Sequence, residues 1–412
     1  MSSEKSIHTD HIEIPVGPTT PARHPIYLSS VHFCPDAQVA DGVLGGEIEG
    51  FAYRRDAHAN QHVLGERCRM LHQADFASLT SSGMAALSLA LLATLRTGDR
   101  VLISEQLYGK TTTLFSQHAA RLGIESDIFD PTDLDQLSDK FDDRTKLVVV
   151  ETISNPLMVV TDLPTLAEQC HRNGALLLVD NTFASPSVCQ PLELGADLVM
   201  ESMTKIMNGH SDVLMGLLCG RERVADAKLG ARVDDSLRTW GMVAAPFDCW
   251  LADRGIGTME LRVAQACHST MEIARELERH PQVARVHYPG LESASSASGN
   301  LHRLSRQQFV KNSLPGSNED TRFGYMLSFE LPDGRAAVDR FVVESGLRFC
   351  PSLGDLSTTL SHPLSTSHRG LSEAACKKQG ITEGLLRISV GIEPTGFLVQ
   401  AVINGLNGLD AT

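Results

Sequence analysis

The feature that most constrains the fold is an alternation of short apolar segments with longer helical segments between residues 77 and 202. Several of the short segments are apolar at consecutive positions, which is typical of strands buried on both faces of a sheet. Helical segments separate them, as in βαβ units. The short segments begin at Ala77, Arg100, Glu125, Lys146, Ala175 and Leu198. This pattern predicts an α/β fold with a mostly parallel central sheet.

The regions around this alternation divide the chain into three predicted parts. Residues 1–51 are punctuated by proline and glycine and predict an extended arm with little regular structure. Residues 52–255 form the large α/β domain, and residues 256–412 a smaller α+β domain. The predicted helices span Ala59–Leu71, Thr111–Leu122, Leu134–Phe141, Leu163–Asn173 and Leu261–His280.

Within the smaller domain, two strands and one insertion are predicted. Gly324–Leu331 and Leu386–Val390 have the composition of buried strands. The stretch Gly290–Glu319 is rich in Ser, Asn and Gly, and it predicts a mobile surface insertion.

Charge and cysteine content exclude several classes of partner and site. The chain has 36 Lys and Arg against 50 Asp and Glu, a formal charge of -14, which disfavours nucleic acids and anionic membranes. None of the nine cysteines forms a CxxC pair, so neither a disulfide framework nor a metal site is expected. The apolar run Met84–Leu95 is too short to span a bilayer, and the charged N-terminus is not a signal peptide. We therefore expect a cytoplasmic protein.

Polar residues follow the predicted strands, at the edge where open α/β sheets bind ligands. Ser82–Met84 opens an apolar helix, whose first amides (those of Gly83 and Met84) suit a phosphate. Tyr108 could stack on a flat ring, and Asn155 could hydrogen-bond a ring substituent. Asp180 closes a buried strand and needs a cationic partner there. Taken singly, these residues can also be explained as a turn, a core or surface aromatic and a helix cap.

The residues after the next predicted strand indicate which ligand the whole group of strand-end residues would bind. Lys205 follows two hydroxyl residues, Ser202 and Thr204, that alternate and can face one oxyanion. A phosphate site, a stacking aromatic, an Asp for a pyridinium nitrogen and a Lys for a Schiff base together predict pyridoxal phosphate (PLP) as the cofactor. Lys205 would also move protons, while Ser202 and Thr204, with the helix amides, would neutralise the phosphate.

Around these residues the sequence resembles the PLP-dependent enzymes of Cys/Met metabolism, the trans-sulfuration enzymes. The resemblance covers residues from about 25 to 400, with the motifs in family order. It is carried by the segments Ser82–Ala86, Tyr108–Thr111, Glu151–Leu157, Val179–Pro186, Ser202–Val213, Tyr288–Leu291, Ser352–Asp355, His362–Pro363 and Leu386–Glu393. The resemblance implies the PLP-dependent transferase fold of the aspartate-aminotransferase type (fold type I), and a homotetramer built as a dimer of dimers.

The same resemblance implies roles for individual residues. Tyr108 would stack on the cofactor ring and act as a base or as a gate for the leaving group. Tyr53 and Arg55 match a family motif that reaches the phosphate of the neighbouring subunit. Arg387 matches the arginine that binds the substrate carboxylate, and Ser352 is also expected to bind substrate.

Four positions depart from the family pattern. His58–Asn60 replaces the usual Asn-Pro-Thr, so the local turn of the arm is expected to differ. Lys110 stands where methionine γ-lyases carry a reactive cysteine. Thr113 and Ser357 stand where the cystathionine enzymes tend to carry Arg and Glu, which leaves room for smaller partners such as sulfide or methanethiol. His210 and His368 are expected to be structural.

The expected activity is γ-replacement or γ-elimination on a sulfur-containing or O-acylated amino acid, as in cystathionine γ-synthase and γ-lyase. An O-acylhomoserine sulfhydrylase or a methionine γ-lyase remains an alternative, because replacement and elimination use the same residues. An aminotransferase or cysteine desulfurase of the same fold is a more distant alternative. A non-enzymatic binding module would be expected to lack Lys205 or Asp180, and both are present.

Overall fold

The large sheet that the alternation predicts is present and has seven strands. The computed structural model describes residues 19, 21–223, 226–292, 296–311, 321–370 and 373–410. The strands are β1 Phe76–Thr80, β2 Arg100–Ser104, β3 Glu125–Phe129, β4 Thr145–Glu151, β5 Leu176–Asp180, β6 Leu198–Glu201 and β7 Gly216–Gly220. Their order across the sheet is β1-β7-β6-β5-β4-β2-β3.

Strands β2 to β6 pair in parallel, which confirms the mostly parallel sheet. Strand β7 runs antiparallel to both β6 and β1, and the sequence pattern did not predict it. The reason is that the chain returns from β6 to β7 through a loop, and an antiparallel return needs no crossover helix. The alternation of strand and helix therefore stops at β6, although the sheet continues.

Helices cover both faces of this sheet. The helices of this part of the chain are α1 Ala37–Gly45, α2 Ala59–Leu71, α3 Gly83–Thr94, α4 Gly109–Thr113, α5 Leu134–Ser138, α6 Leu163–Arg172, α7 Leu229–Trp240 and α8 Pro246–Ile256. Helices α3 and α7 contribute to one apolar cluster, and α2, α6 and α8 contribute to another on the opposite face. A sheet buried on both faces explains why its strands are apolar at consecutive positions.

Two helix predictions in this part are corrected. The arm was expected to lack regular structure, but α1 lies within it, begun by the Asp36 side chain, which accepts the Val39 N–H at 2.9 Å. Gly46, at φ 77°, ends that helix in the left-handed conformation. The helix predicted over Thr111–Leu122 instead begins at Gly109, continues beyond α4 as a π-helix over Leu114–His118, and ends at Ala120.

A second sheet follows in the C-terminal part, in the order β10-β11-β12-β9-β8. Its strands are β8 Arg285–His287, β9 Met326–Glu330, β10 Arg348–Phe349, β11 Thr359–Ser361 and β12 Leu385–Ser389. The helices of this part are α9 Met259–Arg279, α10 Ser296–Gln308, α11 Gly334–Ser345, α12 Glu373–Lys378 and α13 Thr395–Asn407. Helix α8 ends and α9 begins close to residue 255, and the domain boundaries stay predictions.

The predicted mobile insertion is wrong over the helical part of its length. Helix α10 packs on the large sheet, where the Gln308 side chain accepts the Leu163 N–H at 2.8 Å and donates to the Thr161 carbonyl at 3.2 Å. Its Ser- and Asn-rich composition is compatible with a helix because packing supplies the stability that propensity lacks. Residues 293–295 and 312–320 lie outside the described residues. Among the helices that the structure describes, none is long and apolar enough to cross a membrane.

Candidate active site

A cavity of about 250 Å³ lies at the carboxyl ends of β4, β5 and β6. The structure brings most of the predicted site residues to its wall. Those that line it are Gly83, Met84, Tyr108, Asn155, Asp180, Ser202, Thr204, Lys205 and Arg387. Residues from the two sheets meet here, because Arg387 comes from β12 of the second sheet.

Lys205 and Asp180 share this cavity. Lys205 lies just after β6, and its Nζ donates to the Ser352 hydroxyl at 3.0 Å, which places Ser352 beside the cavity although it does not line it. Burial, and then the charge of Arg387, lowers the pKa of Lys205. Asp180 ends β5 and accepts the Thr182 N–H at 3.0 Å, and burial raises its pKa. A buried carboxylate facing the cavity is stabilised by a cationic ligand group, such as a protonated ring nitrogen.

The first turn of α3 forms a cradle for an anion. Ser82 caps the helix by accepting the Ala85 N–H at 3.1 Å. A Cβ on Gly83 would lie 3.0 Å from Ser202 Cβ, so only glycine lets the helix start approach the Ser202 side chain this closely. Thr204 is held by a hydrogen bond from the Met215 N–H at 3.1 Å. Helix amides and two hydroxyl groups around one end of the cavity fit a phosphate.

Arg387 is a buried guanidinium at the cavity wall, only 2% exposed. Its Nη1 donates to Asn155 Oδ1 at 2.7 Å, and the guanidinium lies 5.7 Å from the centre of the Phe183 ring. Its Nε has no hydrogen-bond partner among the described residues. Burial lowers its pKa to about 10. A cation buried without a directly bonded carboxylate indicates that an anionic ligand group belongs here.

Two residues at the cavity were missed by the sequence reasoning. Glu151 ends β4 and accepts the Tyr108 N–H at 2.6 Å and the Asn155 N–H at 3.1 Å, so it fixes the backbone of two predicted site residues. Thr111 is fully buried, lines the cavity, and its hydroxyl has no partner among the described residues. Both lie inside motifs already noted, and the strand-end position of Glu151 was the available signal.

Tyr53 and Arg55 lie away from the cavity of their own chain. Both are exposed, the Arg55 guanidinium lies 5.2 Å from the centre of the Tyr53 ring, and its Nη1 donates to the Arg238 carbonyl at 2.8 Å. Their predicted contact is with a neighbouring subunit, so it stays a prediction. Thr113 and Ser357 do not line the cavity either.

The chain matches known proteins over nearly its whole length. The model of the family described as Cys/Met metabolism PLP-dependent enzyme matches residues 6–407. An L-methionine gamma-lyase of Fusobacterium nucleatum is 34% identical over 386 residues, which is 93% of this chain and 92% of that protein. An O-succinylhomoserine sulfhydrylase of Pseudomonas aeruginosa is also 34% identical, over 93% of this chain and 90% of that protein.

Solved structures give the same result. The crystal structure of a cystathionine gamma synthase from Xanthomonas oryzae, in complex with cystathionine, superposes with a TM-score of 0.84 at 34% identity, covering 95% of this chain and 94% of that one. A putative O-acetylhomoserine (thiol)-lyase from Campylobacter jejuni superposes with a TM-score of 0.85 at 27% identity, covering 93% of this chain and 95% of that one. That structure contains a pyridoxyl-lysine phosphate. These matches confirm the fold, the family resemblance and the cofactor expected from the sequence.

Proposed function

The chain belongs to the Cys/Met metabolism PLP-dependent enzymes, and we propose that it catalyses γ-replacement or γ-elimination on a sulfur-linked or O-acylated α-amino acid. The observation that carries this proposal is the presence of the Lys205 amine and the buried Arg387 guanidinium on one cavity wall. An α-amino acid presents an amine and a carboxylate on one carbon. These two side chains suit its two groups.

Different residues of the cavity would bind the cofactor and the substrate. Asp180 would hold the proton on the pyridine nitrogen of PLP, and the α3 amides with Ser202 and Thr204 would hold the phosphate. When bound, PLP supplies an electron sink for the pair left behind when a proton leaves the substrate. Arg387, held by Asn155, would orient the substrate through its carboxylate.

Proton transfer falls to Lys205. Its lowered pKa increases the neutral fraction of the amine near neutral pH, and a neutral amine can take the proton from the substrate Cα. After passing that proton on, the same amine can take a second proton from Cβ, and the electron pair left there forms the Cβ–Cγ double bond as the γ substituent leaves. Tyr108 lines the cavity and is partly exposed, and it would stack on the ring and assist the departure of that substituent.

A second candidate function is turnover of a substrate in which a small thiol or thioether, and not a second amino acid, is attached to or leaves Cγ. Apart from Lys205 and Arg387, no cation lines the cavity within the described residues. Leu214, Pro351 and Leu353 contribute apolar surface to the wall. This lining favours sulfide, methanethiol or the methyl thioether of methionine over the charged distal amino acid of cystathionine.

We also propose that the enzyme is a cytoplasmic homotetramer, built as a dimer of dimers. Apolar side chains of the arm are exposed in the single chain, namely those of Tyr27, Leu28, Val31 and Phe33, the last at 83%. Apolar residues concentrated in one segment favour burial against a partner subunit. None of the nine cysteines, all of which lie among the described residues, forms a disulfide, and this favours a reducing compartment.

A product assay over four substrates tests the function. L-cystathionine, L-methionine, L-cysteine, and O-succinyl- or O-acetylhomoserine with a thiol are each incubated with the PLP-loaded enzyme. The proposal predicts an oxo acid with ammonia, or a new thioether, and neither product from the Lys205→Ala variant. If the enzyme only exchanges amino groups with an oxo acid, it is an aminotransferase and the proposal is wrong.

A further inference from the structure

A buried polar cluster lies behind the wall of the cavity, and the reaction outlined above does not use it. Its centre is Glu201, the last residue of β6, whose side chain is fully buried. Its neighbours Met200 and Ser202 line the cavity, whereas Glu201 does not. Because side chains alternate along a strand, the Glu201 carboxyl lies on the opposite side of the sheet.

Hydrogen bonds link Glu201, at the end of β6, to the residues that directly follow β5 and β4. Asn181, the residue after Asp180, donates from Nδ2 to Glu201 Oε1 at 2.9 Å. The Thr152 hydroxyl, just after β4, donates to Asn181 Oδ1 at 2.7 Å. On the other side, His72 at the end of α2 places its Nε2 3.8 Å from Glu201 Oε1.

Three polar atoms of this cluster have no hydrogen-bond partner within the part of the chain that the structure describes. They are Glu201 Oε2 and both ring nitrogens of His72. The side chains of both residues are at most 1% exposed. At 3.8 Å the carboxyl and the imidazole do not form a hydrogen bond with each other, and burial of groups left without such bonds favours the uncharged form of both.

Among the described residues, no Lys or Arg forms an ion pair with Glu201, and His72 would do so only if it were protonated. The titratable groups that act on it or respond to its charge are His72, Cys68, Asp180, Cys189, Cys219 and Tyr325. Burial raises the pKa of Glu201 well above the usual value for a glutamate, and the charge of Asp180 raises it further. Burial also lowers the pKa of His72 to about 4. Both shifts favour a protonated carboxyl beside a neutral imidazole.

We propose that Glu201 keeps its proton in the working enzyme, beside a neutral His72, so that of the two carboxyl groups of Asp180 and Glu201 only that of Asp180 carries a negative charge. Two neighbouring buried carboxyls cannot both ionise cheaply. With Glu201 protonated, the negative charge is on Asp180, which faces the cavity and would face the cofactor nitrogen. Glu201 acts through Asp180 and is a positioning residue. The inference rests on the proposed role of Asp180, but not on which substrate is turned over.

The competing arrangement is an ion pair, with the proton on His72 and a carboxylate at Glu201. It contains the same number of protons but has the opposite dependence on pH. A protonated Glu201 has a folded-state pKa above its unfolded value, so its contribution to stability falls as pH rises between the two. An ion-paired Glu201 has a folded-state pKa below its unfolded value, and its contribution grows as pH rises.

The test is the thermal unfolding of wild type and Glu201→Gln, both with PLP in excess, from about pH 5 to about pH 8. Gln keeps the acceptor for Asn181 but cannot titrate. We expect the Tm of E201Q minus that of wild type to rise by about 1 to 2 °C per pH unit. A difference that stays flat or falls with pH overturns the proposal. Glu168→Gln, an exposed pair with Arg172, is the control and should show no trend.

Two further measurements, of PLP affinity and of a His72 variant, can also contradict the proposal. E201Q should bind PLP with an affinity within about threefold of wild type at neutral pH, and a loss of tenfold or more contradicts a neutral Glu201. If E201Q does not fold, His72→Gln replaces it. The proposal predicts a folded His72→Gln protein whose Tm falls with pH as in wild type, whereas loss of an ion pair would strand a buried carboxylate and prevent stable folding.

Discussion

At the scale of single residues, Arg387 is proposed to bind the substrate carboxylate. We predict that Arg387→Ala raises KM and lowers kcat/KM by roughly 150-fold or more, because two charge-assisted hydrogen bonds are lost at about 1.5 to 3 kcal/mol each. Arg387→Lys should recover only part of this loss, since an ammonium cannot bind a carboxylate through two parallel bonds. Steady-state kinetics with any accepted substrate measures both.

The matched control for this prediction is Arg335→Ala. Arg335 is half exposed and pairs with Asp339 on the same helix. Its removal should leave KM unchanged. An Arg387→Ala enzyme with wild-type KM would show that the carboxylate is bound elsewhere.

The pKa of Lys205 predicts how the protein captures its cofactor. Only the neutral amine attacks the PLP aldehyde, so the rate of PLP uptake by cofactor-free protein should rise with pH. The midpoint should lie below the usual lysine pKa, because burial and then Arg387 lower the pKa of Lys205. Stopped-flow absorbance measures this rate. In Arg387→Gln the midpoint should move to higher pH, and a midpoint that does not move would contradict the electrostatic coupling.

Much of the candidate site could be predicted from the sequence, because its residues lie at the ends of predicted strands. Asp180, Lys205 and Asn155 follow apolar strands, and parallel strands bring their carboxyl ends to one edge. The unpartnered hydroxyl of Thr111 could not be predicted, because whether a buried group finds a partner depends on packing from distant segments. The proximity of His72 to Glu201 was likewise hidden, since the two are joined only by tertiary packing.

At the scale of elements, the loop before β11 fixes the backbone around Lys205. Gly354, at φ 75°, lies so close that a Cβ would be 2.5 Å from the Ile206 nitrogen. We predict that Gly354→Ala displaces the lysine segment and lowers both PLP occupancy and stability, the latter by about 2 kcal/mol or more. PLP absorbance per subunit and thermal unfolding measure the two effects.

Gly346 provides the control for backbone strain alone. It has a similar φ of 65°, but a Cβ there would meet no atom within 4 Å. Gly346→Ala should cost only about 1 kcal/mol and leave PLP occupancy unchanged. Equal effects of the two substitutions would show that strain, and not contact with the lysine segment, explains Gly354.

Predictions of helices and strands were correct where the sequence pattern is periodic, and they were wrong where packing against distant segments determines the structure. Helix α2 has the predicted bounds, Ala59–Leu71, because its N-cap and burial pattern are local. Strand β7 was missed because an antiparallel return needs no helix, and α10 because a polar, Ser-rich segment becomes helical against a preformed surface. In both cases the deciding interaction is distant along the chain.

At the scale of the whole molecule, the site is proposed to need a second subunit. Arg55 is exposed and far from its own cavity, so its loss should be complemented by a partner. We predict that Arg55→Ala and Lys205→Ala are each nearly inactive, and that subunits mixed after dissociation regain activity. A mixed dimer has one site with both residues intact, which gives about a quarter of wild-type activity for a random mixture.

Failure of this complementation is informative when the subunits demonstrably exchange. If mixed dimers form, as seen by native mass spectrometry, but remain inactive, Arg55 does not complete a neighbouring site. An Arg55→Ala enzyme with full activity and PLP affinity would lead to the same conclusion.

The central claim is that Lys205 is the residue that PLP binds covalently, in a cavity that it shares with Asp180. Borohydride reduction of the PLP-loaded protein, followed by proteolysis and peptide mass spectrometry, tests this most directly. We predict one pyridoxyl phosphate label per subunit, located on Lys205, with the label greatly reduced in Asp180→Ala. A label on another lysine, or none at all, would contradict the account.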